Sequence, residues 1–318
     1  MIAHRGASGY RPEHTRAAFR LAIQLGADAL EPDLVATADG VLVVRHENDI
    51  SGTTDVASRP EFAGRRTRKR IDGQNLTGWF TEDFTWAELS TLRATERIPA
   101  IRPGNTRYAD EGILRFTDLL ALLDAAERKV ALIAEIKHAS YFDSIGLPLD
   151  ELFAAEISAS GWGDDPRLTV EAFEPTVLGK LRERGIRAPL VFLIEHNGTP
   201  ADQRGSRAMR YPEYLASAEL ARLASAVDGI SVSKQFLLCP GAAGADLVER
   251  AHGVGLRVYC WTLRAENAFL SPQHRIGNAP EQFGDWQAEF RRLLASGVDG
   301  VFADQPDLAI AARQALPH

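Results

Sequence analysis

Two acids separated by one residue, Glu31-Pro32-Asp33, and an acid and a lysine with the same spacing, Glu135-Ile136-Lys137, each close a short apolar run. Residues two apart on a strand share a face, so each pair points its side chains to one side if the runs are strands. Two further runs end in His4-Arg5 and in Arg45-His46. Carboxylates crowded into a site of low dielectric repel one another and protonate unless a counter-charge is supplied. Oxygen-only ligation by Glu31, Asp33 and Glu135 suits one hard divalent cation, Ca²⁺ or Mg²⁺, whereas zinc normally recruits histidine or cysteine. Imidazoles with pKa values near neutral serve as general base and acid, which makes His4 and His46 a candidate catalytic pair. Arg5 and Lys137 add fixed positive charge for a phosphoryl group that gains charge in its transition state. Phe173 and Trp261, also at ends of apolar runs, are placed to line a slot for an apolar substrate backbone. Each of these residues alone reads most simply as a strand-end side chain with a local partner. Three acids at matched strand ends favour metal-assisted phosphodiester cleavage. His14, His138, His196, His252, His274 and His318 lack such placement and receive no role.

The elements that must position these residues are legible as an alternation. Eight apolar runs, MIAH, ALEPD, KVALIAEIK, RLTVEAF, PLVFLI, VDGISVS, LRVYCWT and VDGVFAD, are mostly separated by amphipathic stretches such as TRAAFRLAIQLGA and RFTDLLALLDAAE. Strand-helix alternation predicts a parallel sheet, and eight repeats predict a closed (β/α)8 TIM barrel. A doubly wound open sheet is the rival, but no Gly-rich dinucleotide loop follows any strand. One segment breaks the pattern: VLVVRH follows the second strand too closely for a parallel crossover, so it is expected to fold back as a hairpin. Asp39-Gly40 is a favoured pair for a two-residue type I′ turn, which sets Ala38 opposite Val41 and His46 opposite Asp33. Residues 47–115 read as an irregular insertion after barrel strand 2 within a single domain, with one helix over TWAELSTLR and a basic run, RRTRKR at 65–70, read as a solvated loop. Loops after barrel strands lie on the catalytic face, so the insertion is expected to cap the site.

Composition narrows the partners. The 318 residues are 45% hydrophobic and carry a formal net charge of −7, so no global positive field gathers nucleic acid or an anionic membrane. Cys239 and Cys260 are too few for a disulfide framework and read as small buried hydrophobes. No stretch has the roughly 18 apolar residues of a membrane span. The expectation is a soluble protein, cytoplasmic as the sequence stands, or periplasmic or secreted if a leader precedes it.

Taken together, AHRGASGYRPEHT, GADALEPDLVATADGVLVVRHENDI, AEIKH, VEAFEP, WTLRAEN and GVDGVFADQPD resemble the glycerophosphodiester phosphodiesterase family, most closely its bacterial periplasmic type, over nearly the whole chain. The resemblance implies a (β/α)8 barrel, one bound Ca²⁺ or Mg²⁺, and hydrolysis of small-molecule glycerophosphodiesters to sn-glycerol 3-phosphate and an alcohol. It implies His4 and His46 as the acid-base pair, Glu31, Asp33 and Glu135 as metal ligands, and Arg5 and Lys137 as phosphate contacts. The attacking hydroxyl would be water or the neighbouring glycerol 2-OH. The sequence departs from the family pattern at His14, where asparagine is common, and at Glu47, where aspartate is common after the histidine. A related lipid phosphodiesterase of the lysophospholipase D or sphingomyelinase D kind needs an apolar acyl groove, which the charged insertion does not suggest. A non-catalytic sugar-phosphate-binding barrel has no use for both histidines.

Overall fold

The computed structural model describes residues 1–203, 208–238 and 246–316; Cys239 and His318 lie outside them. In chain order the strands are β1 (Ile2–His4), β2 (Ala29–Glu31), β3 (Asp33–Ala36), β4 (Leu42–Val44), β5 (Thr67–Ile71), β6 (Gln74–Gly78), β7 (Ala131–Ile136), β8 (Leu168–Ala172), β9 (Leu190–Ile194), β10 (Gly229–Ser233), β11 (Arg257–Leu263) and β12 (Gly300–Ala303). Parallel pairing runs β2-β1-β12-β11-β10-β9-β8-β7 and closes from β7 back to β2, the eight-stranded barrel that the alternation predicts. Pro32 divides the second barrel strand. With no N–H to donate, it serves the ladder only through its carbonyl, which accepts from Glu135 N at 2.9 Å. The strand resumes as β3, with Asp33 level with Glu135.

The barrel interior is layered by the two-residue period. Ile2, Ala29, Ile133, Val191, Tyr259 and Phe302 form an apolar floor. Two residues further along their strands stand His4, Glu31, Glu135 and Asp304, so a charged layer rests directly on that floor. The larger apolar core lies outside the strands, under the helices. Helix α1 (Arg16–Gln24) is typical: Thr15 caps it by accepting from Ala18 N, and it buries Ala18, Phe19 and Ala22 against the sheet. Burying a Phe19-sized side chain contributes roughly 1.5–3 kcal/mol.

The turn from β1 into this helix is tight. Gly6 adopts φ +81°, and a Cβ there would sit 2.7 Å from the Ala18 backbone carbon. Gly6→Ala is therefore expected to cost more than about 1–3 kcal/mol, the range for backbone strain alone, because the clash is with backbone. Urea unfolding measures it, and a midpoint equal to wild type would contradict the close approach.

The β3-β4 hairpin forms, but its register differs by one residue from the expectation. Val35 faces Val43 and Ala36 faces Leu42, Thr37 N donates to Val41 O, and Arg45 N donates to Asp33 O at 3.0 Å. Asp33 is thus opposite Arg45, not His46, and Ala38 is not opposite Val41. The cause is a three-residue loop, Ala38-Asp39-Gly40, in which only Gly40 has positive φ. Thr37 Oγ1 fixes it by donating to Asp39 Oδ1 at 2.6 Å and accepting from Val41 N at 2.9 Å. Loops of this kind end in a residue of left-handed conformation. A two-residue Asp-Gly turn with both residues at positive φ does occur, at Asp72-Gly73 between β5 and β6.

That second hairpin revises the reading of the basic run. Residues 67–70 form most of an exposed β-strand instead of a loop, with Lys69 held by Glu82 and Asp83 and Arg65 by Glu88. The insertion's expected helix is present but short, Trp86–Leu89, started by a capping box between Thr85 and Glu88. Cys260 is buried and unpaired, as expected of a small hydrophobe. Among the described residues, no helix is long and apolar enough to cross a membrane.

Candidate active site

Closure of the barrel brings the strand ends together around a cavity of about 750 Å³. His4 and Arg5 enter from β1, Glu31 from β2, Glu135 and Lys137 from β7, Phe173 from just beyond β8 and Trp261 from β11, and all line it. His46 lines it as well, although the hairpin register places it one residue past the ladder: its Nε2 lies 3.3 Å from Lys137 Nζ. Asp33 is close by but turned aside. Its Oδ2 meets His14 Nε2 at 2.8 Å and Arg5 Nε at 3.4 Å, and its Oδ1 lies 3.8 Å from Lys137 Nζ.

Both histidines are held in one orientation by a carboxylate behind the ring. His4 Nδ1 lies 2.6 Å from Asp304 Oδ1, and His46 Nδ1 lies 2.6 Å from Glu47 Oε1. A carboxylate only accepts, so each ring donates from Nδ1 and is left with Nε2 as its proton acceptor; that of His46 faces the Lys137 ammonium at 3.3 Å. Burial, then Arg5, brings the His4 pKa down to about 4; burial, then Arg5 and Lys137, brings His46 down to about 3. Both imidazoles are consequently neutral near pH 7, the form required of a base.

The carboxylates behind the rings are themselves anchored by two arginines of the insertion. Arg102 donates to Asp304 at 2.6 Å and to Glu266 at 2.7 Å. Arg97 donates to Glu47 at 2.7 Å and to Glu13 at 2.6 Å, and Glu13 in turn accepts from Arg5 at 3.0 Å. Burial alone would raise the pKa of Asp304, but Arg264 and Arg102 hold it well below the usual carboxylate range. The insertion thus reaches both imidazoles through one short segment.

The acidic group nearest to a metal site is Glu31, Glu135 and Glu171, which offer oxygens within 4.8 Å of one another, all buried. Burial and neighbouring carboxylates, Asp33 among them, raise the pKa of all three well above the usual range. Glu171 Oε2 and Asp33 Oδ1 are buried without a hydrogen-bond partner. For Asp33, by contrast, His46, Lys137 and Arg5 outweigh burial and lower the pKa. Oxygen ligands with unmet negative charge fit a hard divalent cation. Glu171 lies in the apolar run RLTVEAF and had no part in the site as read from sequence. Its signal was available, since Glu171 pairs in register with Glu135. His14, which had no role, steers Asp33; Asp304 was likewise readable from the eighth strand end, whereas nothing in the irregular insertion singled out Arg97 or Arg102.

Comparison with known proteins identifies the family. The model of the glycerophosphoryl diester phosphodiesterase family matches residues 4–308. A glycerophosphodiester phosphodiesterase of Arabidopsis thaliana is 31% identical over 326 residues, covering 95% of this chain and 82% of that protein. One from Haemophilus influenzae is 26% identical, covering 98% and 88%. An Oleispira antarctica phosphodiesterase, solved in complex with the product sn-glycerol-3-phosphate, superposes with a TM-score of 0.66 at 20% identity over 99% of this chain and 96% of that one. With a barrel, a two-histidine cavity and a family match that spans nearly its full length, the chain belongs to the glycerophosphoryl diester phosphodiesterases.

Proposed function

We propose that the protein hydrolyses glycerophosphodiesters such as glycerophosphocholine and glycerophosphoethanolamine to sn-glycerol 3-phosphate and an alcohol, by general acid-base catalysis with His4 and His46. The observation that carries this reading is that both rings are tied at Nδ1 to carboxylates and line one cavity with the acidic group. Glu31, Glu135 and Glu171 would hold a divalent cation, Ca²⁺ or Mg²⁺, with Asp33 as a further acid beside them. When bound, the cation neutralises phosphate charge as a Lewis acid. Arg5 and Lys137 bind and orient the phosphoryl group and stabilise the charge that develops on it. One neutral imidazole accepts at Nε2 the proton of the attacking hydroxyl, and the other, which must first take up a proton from solvent at Nε2, donates that proton to the departing alkoxide. Phe173 and Trp261, with ring centroids 5.7 Å apart, exclude water from one wall. The chain is proposed to act as one barrel unit, residues 1–318, with 47–115 as its capping insertion.

Release of glycerol 3-phosphate from glycerophosphocholine, followed with a coupled dehydrogenase, tests the reaction. Turnover is expected in the presence of a divalent cation and is expected to vanish on exhaustive chelation. Full turnover in chelator would remove the cation from the mechanism. Comparing acylated with deacylated substrates separates this activity from that of a lipid phosphodiesterase.

A further inference from the structure

The outer half of the cavity has a chemistry that phosphoryl transfer does not require. On β9 the period that faces Val191 and Leu193 inward continues to Glu195, and β8 and β9 pair with Glu171 level with Val191. Glu195 therefore stands two steps of the pleat above Glu171, toward the mouth. Glu174, just past Phe173, and Asp72, at the tip of the β5-β6 hairpin, line the same space. Among the described residues, none of these three carboxylates forms an ion pair with a lysine or arginine. Asp72 is held by His138 Nδ1 at 2.5 Å, Glu174 accepts from Ser140 N at 3.0 Å, and Glu195 accepts from His196 N at 2.8 Å.

Glu174 is the most telling of them. It is 4% exposed, and its Oε1 has no hydrogen-bond partner, although an unpaired buried carboxylate oxygen is costly. Burial and Asp72 raise its pKa despite the Ser140 contacts, a situation that a cation in the cavity relieves. Aromatic faces complete the surroundings. Phe173 packs edge-on against Tyr211 at 6.0 Å and against Trp261 at 5.7 Å, and all three line the cavity. Of the cations that line this space, Lys234 is drawn away to Glu289 at 2.6 Å and Arg264 to Asp304 at 2.7 Å, while Lys137, nearer the base, pairs with Glu135 at 2.8 Å and lies 5.3 Å from the Phe173 ring centroid.

We propose that this outer half is a subsite for the alcohol arm of the substrate, and that it selects alcohols carrying an ammonium group. Carboxylates without a lysine or arginine partner, set beside aromatic faces, recognise ammonium cations through charge and cation–π attraction. Arg5 and Lys137 at the base of the cavity then hold the phosphate, so an ammonium a few bonds away meets Asp72, Glu174 and Glu195. The inference rests on the proposed diesterase reading and deepens it by naming the leaving alcohol.

The test compares kcat/KM for glycerophosphocholine and glycerophosphoethanolamine with that for glycerophosphoglycerol, whose alcohol is neutral. The wild-type protein is expected to favour the two cationic substrates by roughly tenfold or more, the worth of a desolvated ammonium–aromatic contact with charge assistance. Glu174→Gln and Glu195→Gln are each expected to move the ratio toward unity, chiefly through KM of the cationic substrates. Equal efficiency on all three substrates, or a ratio unchanged in both variants, overturns the subsite. If no diester is turned over, the diesterase reading fails, and calorimetry with choline alone judges the subsite separately. Binding that weakens in Glu174→Gln supports it, and absence of binding to wild type overturns it.

Discussion

Alanine at His4 is expected to lower kcat on glycerophosphocholine by about 10²- to 10⁴-fold, the usual contribution of a positioned general acid or base, and alanine at His46 by a comparable factor. KM should change much less if, as proposed, phosphate binding falls to Arg5 and Lys137. The structure adds a finer expectation. Asp304 holds His4 by accepting from Nδ1, and Asp304→Asn keeps the shape while introducing a donor in place of an obligate acceptor. The imidazole then loses its fixed tautomer, so kcat should fall with His4 still present, as is general where an acid orients a catalytic histidine. Steady-state kinetics on the three variants checks this, with circular dichroism to verify folding. Near-native turnover in either histidine variant would remove that residue from the acid-base pair.

Glu171→Gln is expected to move activity and stability in opposite directions. If Glu171 shares the cation with Glu31 and Glu135, its loss should weaken metal affinity by at least about 10- to 100-fold, the penalty for removing even an outer partner of a ligand. Turnover at limiting metal should fall with it. In chelator the sign reverses. Three buried carboxylates within 4.8 Å repel one another, and replacing one with a neutral isostere relieves that repulsion. The metal-free variant should then melt above metal-free wild type. Calorimetric metal titration and thermal scans in chelator read the two effects. Unchanged affinity together with a lower melting temperature would give Glu171 an ordinary structural role.

Much of the site is legible before any fold is known, for a local reason. Glu31 and Glu135 are ends of apolar runs, and a strand turns consecutive side chains to opposite faces regardless of its neighbours. His4 and Arg5 follow the same logic at the first strand. Closure of eight such runs then brings their ends together without further information. Where the reading failed, side-chain contacts that no residue pattern marks decided the outcome. The hairpin after β3 contains the dipeptide of a two-residue turn, yet Thr37 and Trp86 N both bind the Asp39 carboxylate and stabilise a three-residue loop. One residue of slip exchanged His46 for Arg45 opposite Asp33.

The insertion marks the same boundary. Its composition identifies it as irregular and its place after barrel strand 2 leads one to expect it over the catalytic face, but Arg97 and Arg102 look like any other arginines in a charged loop. Their importance arises from meeting Glu47 and Asp304 across 50 and 202 residues of sequence. Residue types and strand period by themselves determined the barrel, the two histidines and the presence of a carboxylate cluster. Only the tertiary structure decided which acids come within 4.8 Å, what holds each imidazole, and that Asp72 and Glu195 share a cavity. Periodicity is a property of a few consecutive residues, whereas these contacts depend on how loops close across the barrel mouth, which no local pattern encodes.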